Sequence, residues 1–273
     1  MEPDRATLRK TKAFPLTQPI SGATTNQPQG SWWVRNRKLL AENPRLFFQK
    51  LATWLKPMRA DYRRRWDPGL RRWMIRYHTD LLFDKVSWMG VPARKMVLDA
   101  WLYQQIIHAL RPEIIIEIGN AEGGSTLYLA NLLDLVGSGD VIAVDIDHSQ
   151  FRVRHPRVTT ITGDSAAPET LARVEAIARG RRGLVIHDGD HSHEHVLADL
   201  RAYAKFVQPG GYLIVEDTVI DLFKAGDGLG SVNGPLGAVE QFVQEDPRFR
   251  IDDECEQFVL TFNPRGYLKR SDS

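Results

Sequence analysis

Long apolar runs alternating with stretches of helical period fill the chain from Lys95 onward. Ile114-Ile115-Ile116-Glu117-Ile118 is apolar at odd and even positions alike, the mark of a strand buried on both faces. Before it the spacing predicts a helix from Val97 to Leu110, stopped ahead of Pro112. After it come a helix over Ser125–Leu135, strands over Val141–Ile146 and Val158–Thr162, and a helix over Pro168–Arg179. A strand over Gly183–His187, a helix over Glu194–Val207 and a strand over Tyr212–Val215 complete the alternation. This order predicts an α/β fold, a doubly wound and mostly parallel sheet with helices on both faces. A final helix over Leu236–Gln244 and strands over Phe249–Ile251 and Gln257–Thr261 predict an antiparallel C-terminal hairpin.

The earlier part of the chain follows no such pattern. Residues 1–31, rich in Thr, Gln, Pro, Gly and Ser, bury too little to offset the entropy of ordering and are expected to form a disordered tail. Residues 32–80 predict a basic helical extension in which five of the seven tryptophans (Trp32, Trp33, Trp54, Trp66, Trp73) interleave with Arg63-Arg64-Arg65 and Arg71-Arg72. Asn43-Pro44 pairs an N-cap with proline at the first helical position, and Phe47, Leu51, Trp54 and Leu55 then share a face. Residues 81–273 remain as the catalytic domain.

Charge separates the two regions: residues 1–80 carry 17 basic and 6 acidic side chains, residues 81–273 carry 19 and 28, although the net charge is only +2. The tryptophans and arginines suit packing on the core or on a second subunit of a homo-oligomer. Contact with an anionic membrane surface is the next reading, and nucleic acid the last. The single cysteine, Cys255, excludes an internal disulfide framework and any multi-cysteine metal site, and its acidic neighbours leave it without the surroundings of a reactive thiol. The acidic start Met1-Glu2-Pro3-Asp4 is followed by no apolar stretch, and no run approaches the roughly 18 apolar residues of a membrane span. A cytoplasmic protein is expected, with any membrane contact peripheral to the inner face.

Ligands of open parallel sheets bind beyond the carboxyl ends of the strands, so the residues after each strand carry the chemistry. The first strand runs into Glu117-Ile118-Gly119-Asn120-Ala121-Glu122-Gly123-Gly124-Ser125, where glycines let the backbone approach a ligand before a helix begins. Asp145 after the second strand is placed to accept hydrogen bonds from ribose hydroxyls, and Gly163-Asp164-Ser165 after the third suits an adenine edge. Glycine turn, ribose acid and third polar motif in this order resemble the cofactor site of class I S-adenosylmethionine-dependent methyltransferases. The resemblance implies that Glu117, Gly119, Asn120, Gly123, Ser125, Asp145, Asp164 and Ser165 hold the cofactor.

The fourth and fifth strands end in His187-Asp188-Gly189-Asp190-His191 and Val215-Glu216-Asp217-Thr218. Neighbouring strands lie about 4.8 Å apart, so Asp188, Glu216 and Asp217 converge. Like charges raise one another's pKa, so such a cluster calls for a cation, and oxygen donors favour Mg²⁺. The cluster resembles the metal site of catechol-type O-methyltransferases, in which a base stands three residues past the first acid. That position is His191 here, a histidine in place of lysine.

The stretch from about Trp88 to Arg270 resembles the cephalosporin hydroxylase and rhamnosyl O-methyltransferase family throughout. The matching phrases are Trp88-Met89-Gly90-Val91-Pro92, Asp99-Ala100-Trp101-Leu102-Tyr103-Gln104, the Glu117–Ser125 turn, Asp188-Gly189-Asp190-His191-Ser192-His193-Glu194-His195-Val196, Tyr212-Leu213-Ile214-Val215-Glu216-Asp217-Thr218 and Gly266-Tyr267-Leu268-Lys269-Arg270. This resemblance implies a Rossmann-like core, S-adenosylmethionine, magnesium, and a sugar hydroxyl of a glycolipid or natural product as acceptor. The family name also suggests a part in β-lactam hydroxylation, but no iron facial triad stands in the sequence. A non-catalytic binding protein that keeps the fold is the alternative of another class. His191, His193 and His195 suggest a zinc hydrolase, yet alternate residues entering a helix point to different sides. The glycine-rich Asp221–Gly237 segment is long for a connector and is expected to act as a lid.

Overall fold

The computed structural model describes residues 40–45, 47, 48, 51, 68–223 and 233–271. Residues 1–59 and 60–273 are two compact units. In the first, Phe47 is buried and its amide donates to the Asn43 carbonyl at 3.0 Å, with residues 44, 45, 47, 48 and 51 helical. The expected tail over 1–31, four of the tryptophans (Trp32, Trp33, Trp54, Trp66), and residues 224–232 of the expected lid lie outside the described residues.

The second unit opens with helix α1 (Pro68–Arg76), which widens into a π-helical turn, Tyr77–Leu82. A two-stranded ribbon, β1 (Ser87–Trp88) and β2 (Val91–Pro92), leads to α2 (Val97–Leu110). The remaining elements are β3 (Ile114–Ile118), α3 (Gly124–Val136), β4 (Asp140–Asp145), β5 (Val158–Thr162), α4 (Pro168–Ala178), β6 (Gly183–His187), α5 (His193–Tyr203), β7 (Tyr212–Val215), α6 (Pro235–Glu245), β8 (Phe249–Ile251) and β9 (Tyr267–Arg270). Seven strands form one sheet in the order β5-β4-β3-β6-β7-β9-β8. All neighbouring pairs from β5 to β7 are parallel, and β9 runs antiparallel to both β7 and β8.

Alternation along β3 divides the core. Ile114, Ile116 and Ile118 face Val174 of α4, Leu200 of α5 and Phe242 of α6 on one side. Ile115 packs on the other with Tyr103 and Ile107 of α2 and Leu129 and Leu133 of α3. Residues 114–116 have no exposed surface, so truncating one isoleucine to alanine should cost about 2–5 kcal/mol. A third cluster joins Met74, Tyr77 and Leu82 to Met96, Val219, Phe223 and Phe262, which fixes the helix before the sheet over the segment that follows β7.

The closing strand is not the one the apolar pattern predicts. Gln257–Thr261 forms no strand; Val259 sits at φ +71°, a left-handed backbone that breaks extended pairing. Phe258 and Leu260 pack against separate clusters instead, and Tyr267–Arg270 takes the slot between β7 and β8. No helix among the described residues is long and apolar enough to cross a membrane.

Candidate active site

Strand order reverses between β3 and β6, which lie side by side with Ile118 opposite His187. The turns that follow them meet at once. Gly119 sits at φ +84°, and a Cβ there would lie 2.0 Å from the Asp188 carbonyl oxygen, so only glycine allows both the conformation and the approach. The same turn is tied to β4 by Asp145, whose Oδ2 accepts from the amides of Asn120 at 2.6 Å and Ala121 at 3.1 Å.

Gly119, Asn120, Ser125, Asp145, Asp164 and Ser165 line one cavity of about 640 Å³ at the carboxyl ends of the strands. Glu117 and Gly123 are not on its wall. Glu117 is fully buried under the turn, where its Oε2 accepts from Asn120 Nδ2 at 2.9 Å and from the Thr126 hydroxyl. Gly123 faces the side chains of Phe151 and Val153. Below Ser165 lies a buried polar cluster: its hydroxyl donates to Asp199 Oδ2 at 2.8 Å, His187 Nε2 lies 3.0 Å from that oxygen, and His195 Nε2 is 3.1 Å from Ser165 Oγ. His195 thus braces the end of β5 and does not share a metal-sized group with His191 and His193 among the described residues.

On the wall of the same cavity Asp188, His191 and Asp217 each offer one ligand atom, and these atoms lie within 4.8 Å of one another. Asp188 follows β6 and Asp217 follows β7, at φ +56° with its amide held by Asn263 Oδ1 at 3.0 Å. His191 Nε2 is 3.6 Å from Asp217 Oδ2. Glu216, expected with the two aspartates, is not in that group. It is buried, and its Oε1 accepts from Lys95 Nζ at 2.7 Å and from the Tyr103 hydroxyl at 2.9 Å.

Lys95 is the residue the pattern of the sequence does not announce. Lys95 is 5% exposed, and its ammonium bridges Glu216 and Asp188 Oδ2, the latter at 2.6 Å. Burial alone would favour the neutral amine, but Asp188, Glu216 and Glu117 outweigh it and hold the group above the usual lysine range. Burial, then Asp188, push Asp217 up to about 8 against the pull of Lys95, and the same two causes raise Glu216. The acids therefore exceed the positive charge beside them, the electrostatic condition for holding a further cation.

A buried polar chain backs this arrangement. Asn263 Nδ2 donates to the Tyr103 hydroxyl at 3.0 Å and to the Tyr267 hydroxyl at 3.3 Å, and Tyr267 donates to Asp99 Oδ1 at 2.9 Å. Asp99 also accepts from Thr261 and from the Phe262 amide, and burial raises its carboxyl to about 6 against these hydrogen bonds.

Against known families, residues 81–271 match the Rhamnosyl O-methyltransferase/CmcI family. The chain belongs to this family. A rhamnosyl O-methyltransferase of Mycobacterium tuberculosis (strain ATCC 25618 / H37Rv) is 33% identical over 203 residues, 71% of this chain and 82% of the relative. The Mycobacterium leprae (strain TN) protein of the same name is 31% identical over 201 residues, 71% and 87% of the two chains. A shorter stretch of 90 residues, 33% of this chain and 23% of the other, is 37% identical to 8-demethyl-8-alpha-L-rhamnosyl tetracenomycin-C 2'-O-methyltransferase of Streptomyces olivaceus. Among solved structures, CmcI recorded with Mg and SAM superposes at a TM-score of 0.53 with 21% identity, covering 78% of this chain and 88% of that one, a likeness of fold. The stretch matched to the rhamnosyl O-methyltransferase/CmcI family contains the glycine turn, both aspartates and His191, and begins after α1.

Proposed function

We propose that this protein transfers a methyl group from S-adenosylmethionine to a hydroxyl of a sugar, carried on a glycolipid or a glycosylated small molecule, with Mg²⁺ at the acid cluster. The supporting observation is the opening of the Asp188, His191 and Asp217 group into the same cavity as the Gly119 turn, Asp145 and Asp164. The cavity wall carries Asp145, Asp164, Asp188, Asp190 and Asp217 against Arg94, a charge balance suited to a sulfonium and a divalent cation together. The names of the relatives favour a rhamnosyl acceptor.

Asp188 and Asp217 would hold the metal directly, with Glu216 behind them anchoring Lys95. When bound, the ion supplies Lewis acidity that lowers the pKa of a coordinated hydroxyl, and the sulfonium supplies the methyl group. His191, facing Asp217 through Nε2, takes the hydroxyl proton. The Gly119 turn, held by Asp145, fixes the cofactor's position, and Asp164 and Ser165 border the far end.

Purified protein incubated with methyl-labelled cofactor and a panel of rhamnosides tests the reading. Transfer should require magnesium, stop in EDTA and return when the ion is restored. Absence of transfer to every hydroxyl acceptor would sink the proposal, and transfer indifferent to EDTA would remove the metal from it.

A further inference from the structure

We propose that His78, on the π-helical turn after α1, recognises a second hydroxyl of the acceptor sugar, next to the one that is methylated. This rests on the sugar O-methyltransferase reading above and names the residue that selects within that substrate class. His78 lines the cavity together with His191, Asp188 and Asp217. It comes from outside the stretch matched to the family, which begins at residue 81.

The ring is bordered by aromatic side chains. Phe83 lies edge-on to it at 5.3 Å between centroids, and Phe262 is tilted against it at 6.2 Å. Met74, Tyr77 and Leu82 of the same helical stretch are buried against Val219, Phe223 and Phe262. A π-helical turn redirects a side chain that a regular helix would place elsewhere, and such turns occur often at functional sites. Nδ1 of His78 is shut off from water and finds no hydrogen-bond partner in the protein. A buried ring nitrogen without a partner is costly, and the broad second torsion of histidine lets a modest rotation bring it to the cavity.

Burial, and then the charge of His191, favour the neutral imidazole. A neutral imidazole donates at one nitrogen and accepts at the other, which matches the two-way hydrogen bonding of a sugar hydroxyl. His78 and His191 line the same cavity, so a hydroxyl adjacent to the reacting one is the group His78 is placed to meet.

The test uses p-nitrophenyl α-L-rhamnopyranoside and its three singly deoxygenated analogues with the full-length protein, His78→Phe and His78→Asn. Phenylalanine keeps the ring contacts with Phe83 and Phe262 while removing the hydrogen bond; asparagine restores a polar atom near the Nδ1 position. In the wild type, one analogue that still carries the methylated hydroxyl should react with a kcat/KM about tenfold below the parent, the size of one lost neutral hydrogen bond. His78→Phe should lower the parent by the same factor and leave that analogue unchanged, with His78→Asn recovering part of the preference and cofactor affinity by calorimetry unaltered. Retained discrimination in His78→Phe, or an equal fall on every acceptor, overturns the role of His78 and leaves the methyltransferase standing. Failure of the wild type to methylate any rhamnoside removes both readings together.

Discussion

Replacing Lys95 with methionine isolates the electrostatics of the acid cluster. Methionine is close to lysine in length and fills the same buried slot, so the change removes a charge with little loss of packing. Lys95 is 5% exposed, and its ammonium touches Asp188 at 2.6 Å and Glu216 at 2.7 Å. Taking away one partner of a buried ion pair costs about 3–5 kcal/mol, because the other is left uncompensated. Urea unfolding in EDTA should show that loss as a midpoint lowered by about 1–2 M. The dependence on pH has a definite sign. Glu216 and Asp217 have folded pKa values above their unfolded ones, so ionising them works against the folded state. That cost is absent below the unfolded carboxylate range of about 4 and grows until the pH passes the folded value, about 8 for Asp217. Lys95 offsets it in the wild type and nothing does in the variant. The penalty should therefore be larger at about pH 8 than at about pH 5, as carboxylate linkage requires. A loss below about 1 kcal/mol, or an equal loss at the two pH values, refutes the account of Lys95 as the counter-charge.

Two further substitutions separate the cofactor turn from the proton step. Gly119→Ala imposes a left-handed backbone on a residue with a Cβ, costing about 1–2 kcal/mol, and drives that atom toward the Asp188 carbonyl; cofactor affinity by calorimetry should fall by tenfold or more, and an unchanged affinity contradicts the close approach. His191→Gln should lower kcat by about 10²–10⁴ with cofactor affinity intact, and a loss of less than tenfold is incompatible with a proton-accepting role.

Five strands, Ile114–Ile118, Val158–Thr162, Gly183–His187, Tyr212–Val215 and Phe249–Ile251, are legible to the residue, the first four because each is an extended apolar or β-branched run bounded by turn formers. The parallel order and the antiparallel last strand follow from the same pattern, but the position of that strand does not: Gln257–Thr261 has the apolar run of a strand and the backbone of a loop. Cys255 behaves as its acidic surroundings suggest; burial and then Asp252 push the thiol up to about 12. The site divides along similar lines. Strand-end residues such as Gly119, Asp145, Asp188 and Asp217 are visible because topology alone brings them together. Lys95 and His78 are not, since neither lies at the end of a strand of the main sheet. The partners of Lys95 lie 93 and 121 residues further along the chain, a separation no local pattern encodes. Glu216 and Asp217 look interchangeable as text, yet one points to Lys95 and Tyr103 and the other to His191.

The hydrogen-bonded relay from Asp99 through Tyr267, Asn263 and Tyr103 to Glu216 couples the rim of the sheet to its chemical centre. Tyr267 belongs to β9, which β8 shields on its outer side. Slackening of that border by warmth or mild denaturant would be passed inward along the relay and tilt the acids before the glycine turn yields. Catalytic competence and cofactor retention would then fail at different temperatures, with turnover the earlier casualty.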